Sequence, residues 1–76
     1  SESSPIIINA ANEIFVDEFL KNHIKFIDIF TYLNLVLKDK NYIKTSNMSC
    51  NSIKNIYKID IWARELAYKI IKKNTN

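Results

Sequence analysis

The apolar positions of the chain fall into three stretches with helical spacing. In the first stretch, residues 4–22, apolar side chains recur three and four positions apart, which is the period of one helix face. Ser4 followed by Pro5 predicts the helix start, with Ser4 as N-cap and proline at the first helical position. The apolar residues predicted to face the core are Ile8, Ala11, Phe15 and Phe19 at the centre, with Ile7, Ile14, Val16 and Leu20 on the flanks. This arc covers about two thirds of the circumference, so one neighbouring helix is not enough to cover it.

Two further helices follow, over residues 27–39 and 52–73. The second is predicted to bury one face made of Ile29, Tyr32, Leu33 and Val36. The third carries a longer stripe with Trp62 beside it, made of Ile56, Ile59, Ala63, Leu66 and Ile70. The segment between them, residues 40–51, is polar and aperiodic and is predicted to be a loop. The pattern therefore predicts an all-α fold, with three helices forming most of a small four-helix bundle-like domain over residues 1–76.

Composition agrees with this fold class. The chain has 76 residues with no glycine and one proline, so it lacks the residues that tight β-turns and phosphate-binding loops need. A chain of this length buries only roughly 60% of the surface that its unfolded form exposes. We therefore expect one small helical domain of modest stability.

The net charge of +3 and the pI near 9.1 raise the possibility of a nucleic-acid partner, because clustered cations neutralise phosphates. Only Arg64 among the 11 basic residues is arginine, and isoleucine, asparagine and lysine fill 34 of the 76 positions. That bias is typical of an AT-rich genome, and the lysines are scattered along the sequence. We therefore expect no nucleic-acid partner. A free-standing basic helical interaction module, or a nucleic-acid-binding one, stays as the alternative.

Compartment and membrane signals are weak. Cys50 is the only cysteine, so no disulfide can form within the chain, and a reducing compartment is expected. No run of 18 apolar residues is present, and the opening "SESSP" lacks the order of a signal peptide. We expect a soluble chain with no membrane partner.

Few residues here could carry chemistry. His23 is the only histidine, so neither a histidine dyad nor a two-histidine metal site can form, and an interaction with the helix C-terminus is predicted. Glu13 and Asp17 lie one turn apart and could in principle hold a metal, but Asp17 precedes Lys21 by four residues in the order that favours an ion pair. A solvated face is the prediction for these carboxylates.

The segment "DIWARELA", residues 60–67, places Asp60 and Arg64 four residues apart, which predicts an ion pair along the helix. A phosphate held by Arg64, or a base stacked on Trp62, would need further partners that the sequence does not show. The ion pair is therefore the preferred interpretation.

Asn9 and Asn12 lie within or at the edge of the first apolar face. Asn12 falls between Ile8, Phe15 and Phe19, where a buried amide without partners would cost about 1–3 kcal/mol. We therefore predict that Asn12 is buried and hydrogen-bonded to the backbone of another segment, in a structural role.

Three segments, taken together, resemble a known family. "IIINAANEIFVDEFL" (6–20), "IKFIDI" (24–29) and "DIWARELA" (60–67) are similar in order and spacing to the C-terminal helical domain of 1-deoxy-D-xylulose 5-phosphate reductoisomerase. The resemblance covers residues 6–71. This chain departs from the family at Ile27, where a threonine able to cap the second helix is common, and at "NSIKN", where the third helix lacks the usual acidic residues.

The resemblance implies a cytoplasmic bacterial or plastid-type enzyme of isoprenoid biosynthesis. Such enzymes convert their substrate to 2-C-methyl-D-erythritol 4-phosphate with NADPH and a divalent metal, Mg or Mn. They act as homodimers and place a dinucleotide-binding domain and a catalytic domain before this helical domain. The family's metal, phosphate and cofactor residues match no position in this chain, so no catalytic, cofactor-binding or metal residue is expected here. The resemblance also implies that the chain lacks one further upstream helix and is non-catalytic alone, with the upstream catalytic domain as its partner.

Overall fold

The computed structural model describes residues 2–75, which form four helices and no strand. These are α1 (Ser4–Leu20), α2 (Phe26–Leu37), α3 (Tyr42–Ser46) and α4 (Ile53–Asn74). The predicted all-α class and the three long helices are confirmed. None of the helices in the described range combines the length and apolarity that crossing a bilayer requires.

The helix starts differ in detail from the prediction. The N-cap of α1 is Ser3 and not Ser4, and its side chain makes no capping hydrogen bond because it points to another segment. At α4, Ser52 Oγ accepts a hydrogen bond from the Asn55 amide at 3.0 Å. Such a cap is worth about 1 kcal/mol, so it compensates for the missing acidic residues of the first turn.

A left-handed asparagine ends α1. Asn22 has φ 63°, a conformation that asparagine tolerates better than most residues. The Asn22 amide donates to Phe19 O and the His23 amide to Glu18 O, each at 2.9 Å. This pair of bonds is the Schellman arrangement, which satisfies two of the last carbonyls of the helix. The chain then reverses direction within five residues and starts α2.

The core lies where α1 packs against α4, and small residues line both sides of the contact. Ala10 and Ala11 of α1 and Ala63 and Ala67 of α4 are at most 1% exposed, and short side chains at a helix contact allow the axes to approach closely. The predicted centre of the α1 face is therefore shifted. Ala10 is buried although it was not predicted to be, whereas Ile8 is 39% exposed.

The predicted face of α2 is confirmed. Ile29, Tyr32 and Val36 are buried, and Leu33 is partly buried against the core. Tyr32 meets Phe15 of α1 edge to face, with ring centroids 5.7 Å apart. Burial, and to a lesser degree the nearby Asp28 carboxylate, raises the pKa of Tyr32.

The segment predicted as a loop contains the short helix α3, and the N-terminus holds it in place. The Ser3 amide donates to Ser46 O at 2.8 Å, and Ser3 Oγ donates to Met48 O. Ser3 Oγ also lies 3.2 Å from Cys50 Sγ, and Ser4 Oγ lies 2.7 Å from the Tyr42 hydroxyl. These contacts join positions more than 35 residues apart, so a local reading of residues 40–51 could not predict them.

Candidate docking surface

The structure does not bear out the prediction for Asn12. Its side chain is half-buried and makes no hydrogen bond among the described residues, and Asn9 is exposed. The reason is the shift of the α1 face. With Ala10 and Ala11 buried in the core, Asn12 lies at the rim of an open groove and not in the core.

At the end of α1 the predicted Asp17–Lys21 pair is confirmed, whereas the contact that His23 makes with the Glu18 side chain was not predicted. Lys21 Nζ lies 2.9 Å from Asp17 Oδ2, and this hydrogen bond raises the pKa of Lys21. The imidazole of His23 is mostly exposed and lies 3.2 Å from a Glu18 oxygen. These are surface interactions at a helix end and involve no convergent chemistry.

Arg64 joins α4 to α1. Its Nε donates to Asp60 Oδ1 at 2.7 Å, which confirms the predicted pair, and its Nη2 donates to Glu13 Oε1 at 3.0 Å. The hydrogen bonds that Arg64 donates to these two carboxylates, that to Asp60 first, raise the pKa of Arg64. The Glu13 contact was not predicted, because sequence spacing indicates pairs within one helix. It does not indicate a pair between two residues that lie 51 positions apart on different helices.

We predict that Glu13→Gln lowers the free energy of unfolding by about 0.5 kcal/mol at low salt, as is usual for a solvent-exposed ion pair. The loss should disappear in about 1 M salt, where screening acts over roughly 3 Å. Glu65→Gln is the matched control, because Glu65 is exposed and makes no ion pair among residues 2–75. Urea unfolding of both variants measures the difference, and equal losses at low salt would contradict the interhelical pair.

Beside this ion pair, an open groove of about 510 Å³ follows α1, with Arg64 of α4 on its other side. We call it the α1–α4 groove; the residues that line it are Asn12, Glu13, Ile14, Val16, Asp17, Leu20 and Arg64. Leu20 is 70% exposed, although a leucine gains roughly 1.5–3 kcal/mol when it is fully buried. The groove thus presents apolar side chains of α1 with charged groups, among them Arg64 of α4, at its edges.

The apolar character continues along the outer side of α4. Tyr57, Ile61 and Tyr68 are exposed, and their spacing places them on the same side of the helix as Arg64, which lines the groove. Large exposed apolar patches usually mark interaction sites. A further helix packed beside α1 and α4 would cover this surface.

A second apolar surface lies where α1 meets α2. Phe26, Ile27 and Phe30 are each more than half exposed, and we call them the phenylalanine corner. Phe26 lies between Phe19 and Phe30, with ring centroids 5.6 and 5.3 Å apart. The second helix was predicted to begin at residue 27, so Phe26 was not expected on a helix and this surface was not predicted.

The residues present do not fit the cofactors that the resemblance implies. No group of three or more histidine, cysteine, aspartate or glutamate side chains converges in the described part of the chain. No glycine exists to let a pyrophosphate approach the backbone at a helix start.

Comparison with known proteins agrees with the resemblance. A family model described as "DXP reductoisomerase C-terminal domain" matches residues 1–66. The chain is 38% identical over 72 residues to the apicoplastic 1-deoxy-D-xylulose 5-phosphate reductoisomerase of Plasmodium falciparum, covering 95% of this chain and 15% of that protein. The reductoisomerase of a Wolbachia from Brugia malayi is also 38% identical, over 76 residues that cover 95% of this chain and 18% of the relative. No solved structure matches the chain significantly.

The chain therefore belongs to the DXP reductoisomerase C-terminal domain family. It spans less than a fifth of the length of these relatives. What it shares with them is the C-terminal domain that the family model describes.

Proposed function

We propose that this chain is the C-terminal structural domain of a 1-deoxy-D-xylulose 5-phosphate reductoisomerase, and that it braces the catalytic part of that enzyme. The observation that carries the proposal is the α1–α4 groove, where Val16 and Leu20 of α1 are exposed beside Arg64 of α4. A segment of the same polypeptide, packed there, would complete a four-helix arrangement and bury these side chains.

The chemistry of the complete enzyme belongs, under this proposal, to its upstream domains. NADPH and a divalent metal, Mg or Mn, would be bound there, and the upstream catalytic domain is the partner of this chain. The complete enzyme would be a homodimer. Because the relatives come from bacteria and from an apicoplast, we place it in a bacterial cytoplasm or a plastid-type organelle.

A brace of this kind affects rate through geometry. A misplacement of about 1 Å at a reacting centre costs roughly 100-fold in rate, so a domain that fixes the catalytic domain in position contributes to turnover without touching substrate. The isolated chain would bind no cofactor and catalyse nothing.

The test uses the complete polypeptide that carries residues 1–76, assayed for NADPH oxidation that depends on 1-deoxy-D-xylulose 5-phosphate. We expect turnover by this polypeptide and a loss of roughly 100-fold or more when it is truncated before Ser1. The isolated chain, titrated with NADPH in a calorimeter, should show no binding at micromolar strength. A complete polypeptide that does not consume the substrate, or a truncated one that retains full activity, would contradict the proposal.

A further inference from the structure

The two halves of the chain differ in charge. Residues 1–37 carry two cationic and five acidic side chains, whereas residues 38–76 carry nine cationic and three acidic ones. The excess positive charge of the chain therefore comes from α3, α4 and the segments beside them. The structure shows where these charges gather.

Three adjoining depressions follow the side of α4 that faces α2 and α3. The middle depression shares Trp62 and Asn41 with the one near Lys58. It shares Asp39, Leu66 and Lys69 with the one near Lys73, so the three form one channel. We call it the basic furrow; the lysines that line it are Lys40, Lys44, Lys58, Lys69 and Lys73. From Lys58 to Lys73 it follows α4 over 15 residues, which is about 22 Å. The lysines that look scattered in the sequence thus converge in space.

The lysines of the furrow differ from the cations on the α1 side. Lys21 and Arg64 are each paired with carboxylates, whereas in the described range no furrow lysine has a carboxylate within 4.0 Å. Two acidic residues, Asp39 and Glu65, also line the furrow, and Asp39 Oδ1 already accepts a hydrogen bond from the Asn41 amide. The furrow is therefore open and net positive.

The floor of the furrow is apolar. Trp62 and Leu66 are half-buried against the core, Ile70 is buried, and Leu35 lies at the edge. An occupant must supply negative charge to the lysines and apolar side chains to this floor. Single-stranded nucleic acid fits less well, because it is usually bound by several stacking aromatics and by arginine, whereas Trp62 is the only aromatic side chain lining the furrow.

We propose that the basic furrow binds an acidic peptide segment with regularly spaced apolar residues, contributed by a partner protein. The carboxylates would lie along the lysines, and the apolar side chains would lie over Trp62 and Leu66. This helix-groove mode of recognition is common for amphipathic segments. The furrow lies on the opposite flank of α4 from the α1–α4 groove, so the site is independent of the bracing role.

The test is a titration with a 14-residue peptide whose leucines recur three and four positions apart, on one face of a helix, and whose glutamates lie beside them. Trp62 is the only tryptophan, so its emission reports on the furrow directly. Lys69→Glu combined with Lys73→Glu should weaken binding at least about tenfold. The control, Lys54→Glu combined with Lys72→Glu, makes the same change in net charge outside the furrow and should alter the affinity by less than about twofold.

Three results would overturn the proposal. The first is the absence of any change in Trp62 emission or of any peptide binding. The second is an equal loss of affinity in both double variants, which would show an unspecific charge effect. The third is tighter binding of the oligonucleotide dT12 than of the peptide, which would assign the furrow to nucleic acid. Circular dichroism of the variants, all at exposed lysines, checks that the fold is unchanged.

Discussion

Phe15→Ala is expected to remove a large part of the stability of the isolated chain. Phe15 is 0% exposed and packs edge to face on Tyr32, so the substitution leaves a cavity between α1 and α2. Truncations of buried phenylalanine cost about 3–5 kcal/mol, against a total of roughly 4–11 kcal/mol for a domain of this length. The midpoint of thermal unfolding should fall by roughly 15 °C or more.

Phe30→Ala is the matched control, because Phe30 belongs to the phenylalanine corner and is 52% exposed. It loses only an edge contact with Phe26, which is worth about 1 kcal/mol. Circular dichroism at 222 nm, followed with temperature, measures both variants. Equal shifts of the two midpoints would show that Phe15 is not buried against Tyr32 as described.

The isolated chain is also expected to self-associate as its concentration rises. The α1–α4 groove and the outer side of α4 expose Leu20, Tyr57 and Tyr68 to water, and contact between two copies would bury part of this surface. Sedimentation equilibrium should show an average mass that increases with concentration. A peptide of the upstream helix should compete for the groove and lower that mass.

Leu20→Lys should restore a monomer, because a lysine in the groove would have to lose its hydration in the contact. Ile43→Lys makes the same change in charge on α3, where Ile43 is 73% exposed and outside the groove, and should leave the association unchanged. A chain that stays monomeric at every concentration, and ignores the peptide, would show that these helices already form a complete core.

The sequence predicts the long helices well because their apolar spacing is local information. It does not predict which side of α1 faces the core. Apolar residues surround most of α1, and the side that becomes buried, which includes Ala10 and Ala11, depends on packing against other helices such as α4. The error at Asn12 follows from this choice, since a shift of the buried face moves that amide to the groove.

Contacts between distant segments account for the remaining differences. The helix α3 depends on hydrogen bonds from Ser3, and the Arg64 to Glu13 pair joins two helices. Lysines from several elements meet in the basic furrow only when α4 packs beside α2 and α3. Each of these features needs the tertiary arrangement, whereas the predicted pair between Asp60 and Arg64 needs only one helix.

The most direct test of the bracing role asks whether the α1–α4 groove is covered in the complete polypeptide. In a Cys50→Ser background, Leu20→Cys and Ile43→Cys each place one thiol at an exposed position, and the rate of maleimide labelling reports on access. In the isolated chain, at concentrations where it is monomeric, both thiols should react readily. In the complete polypeptide, labelling at position 20 should become much slower while labelling at position 43 stays unchanged. Equally fast labelling at position 20 in both forms would contradict the docking of another segment in the groove.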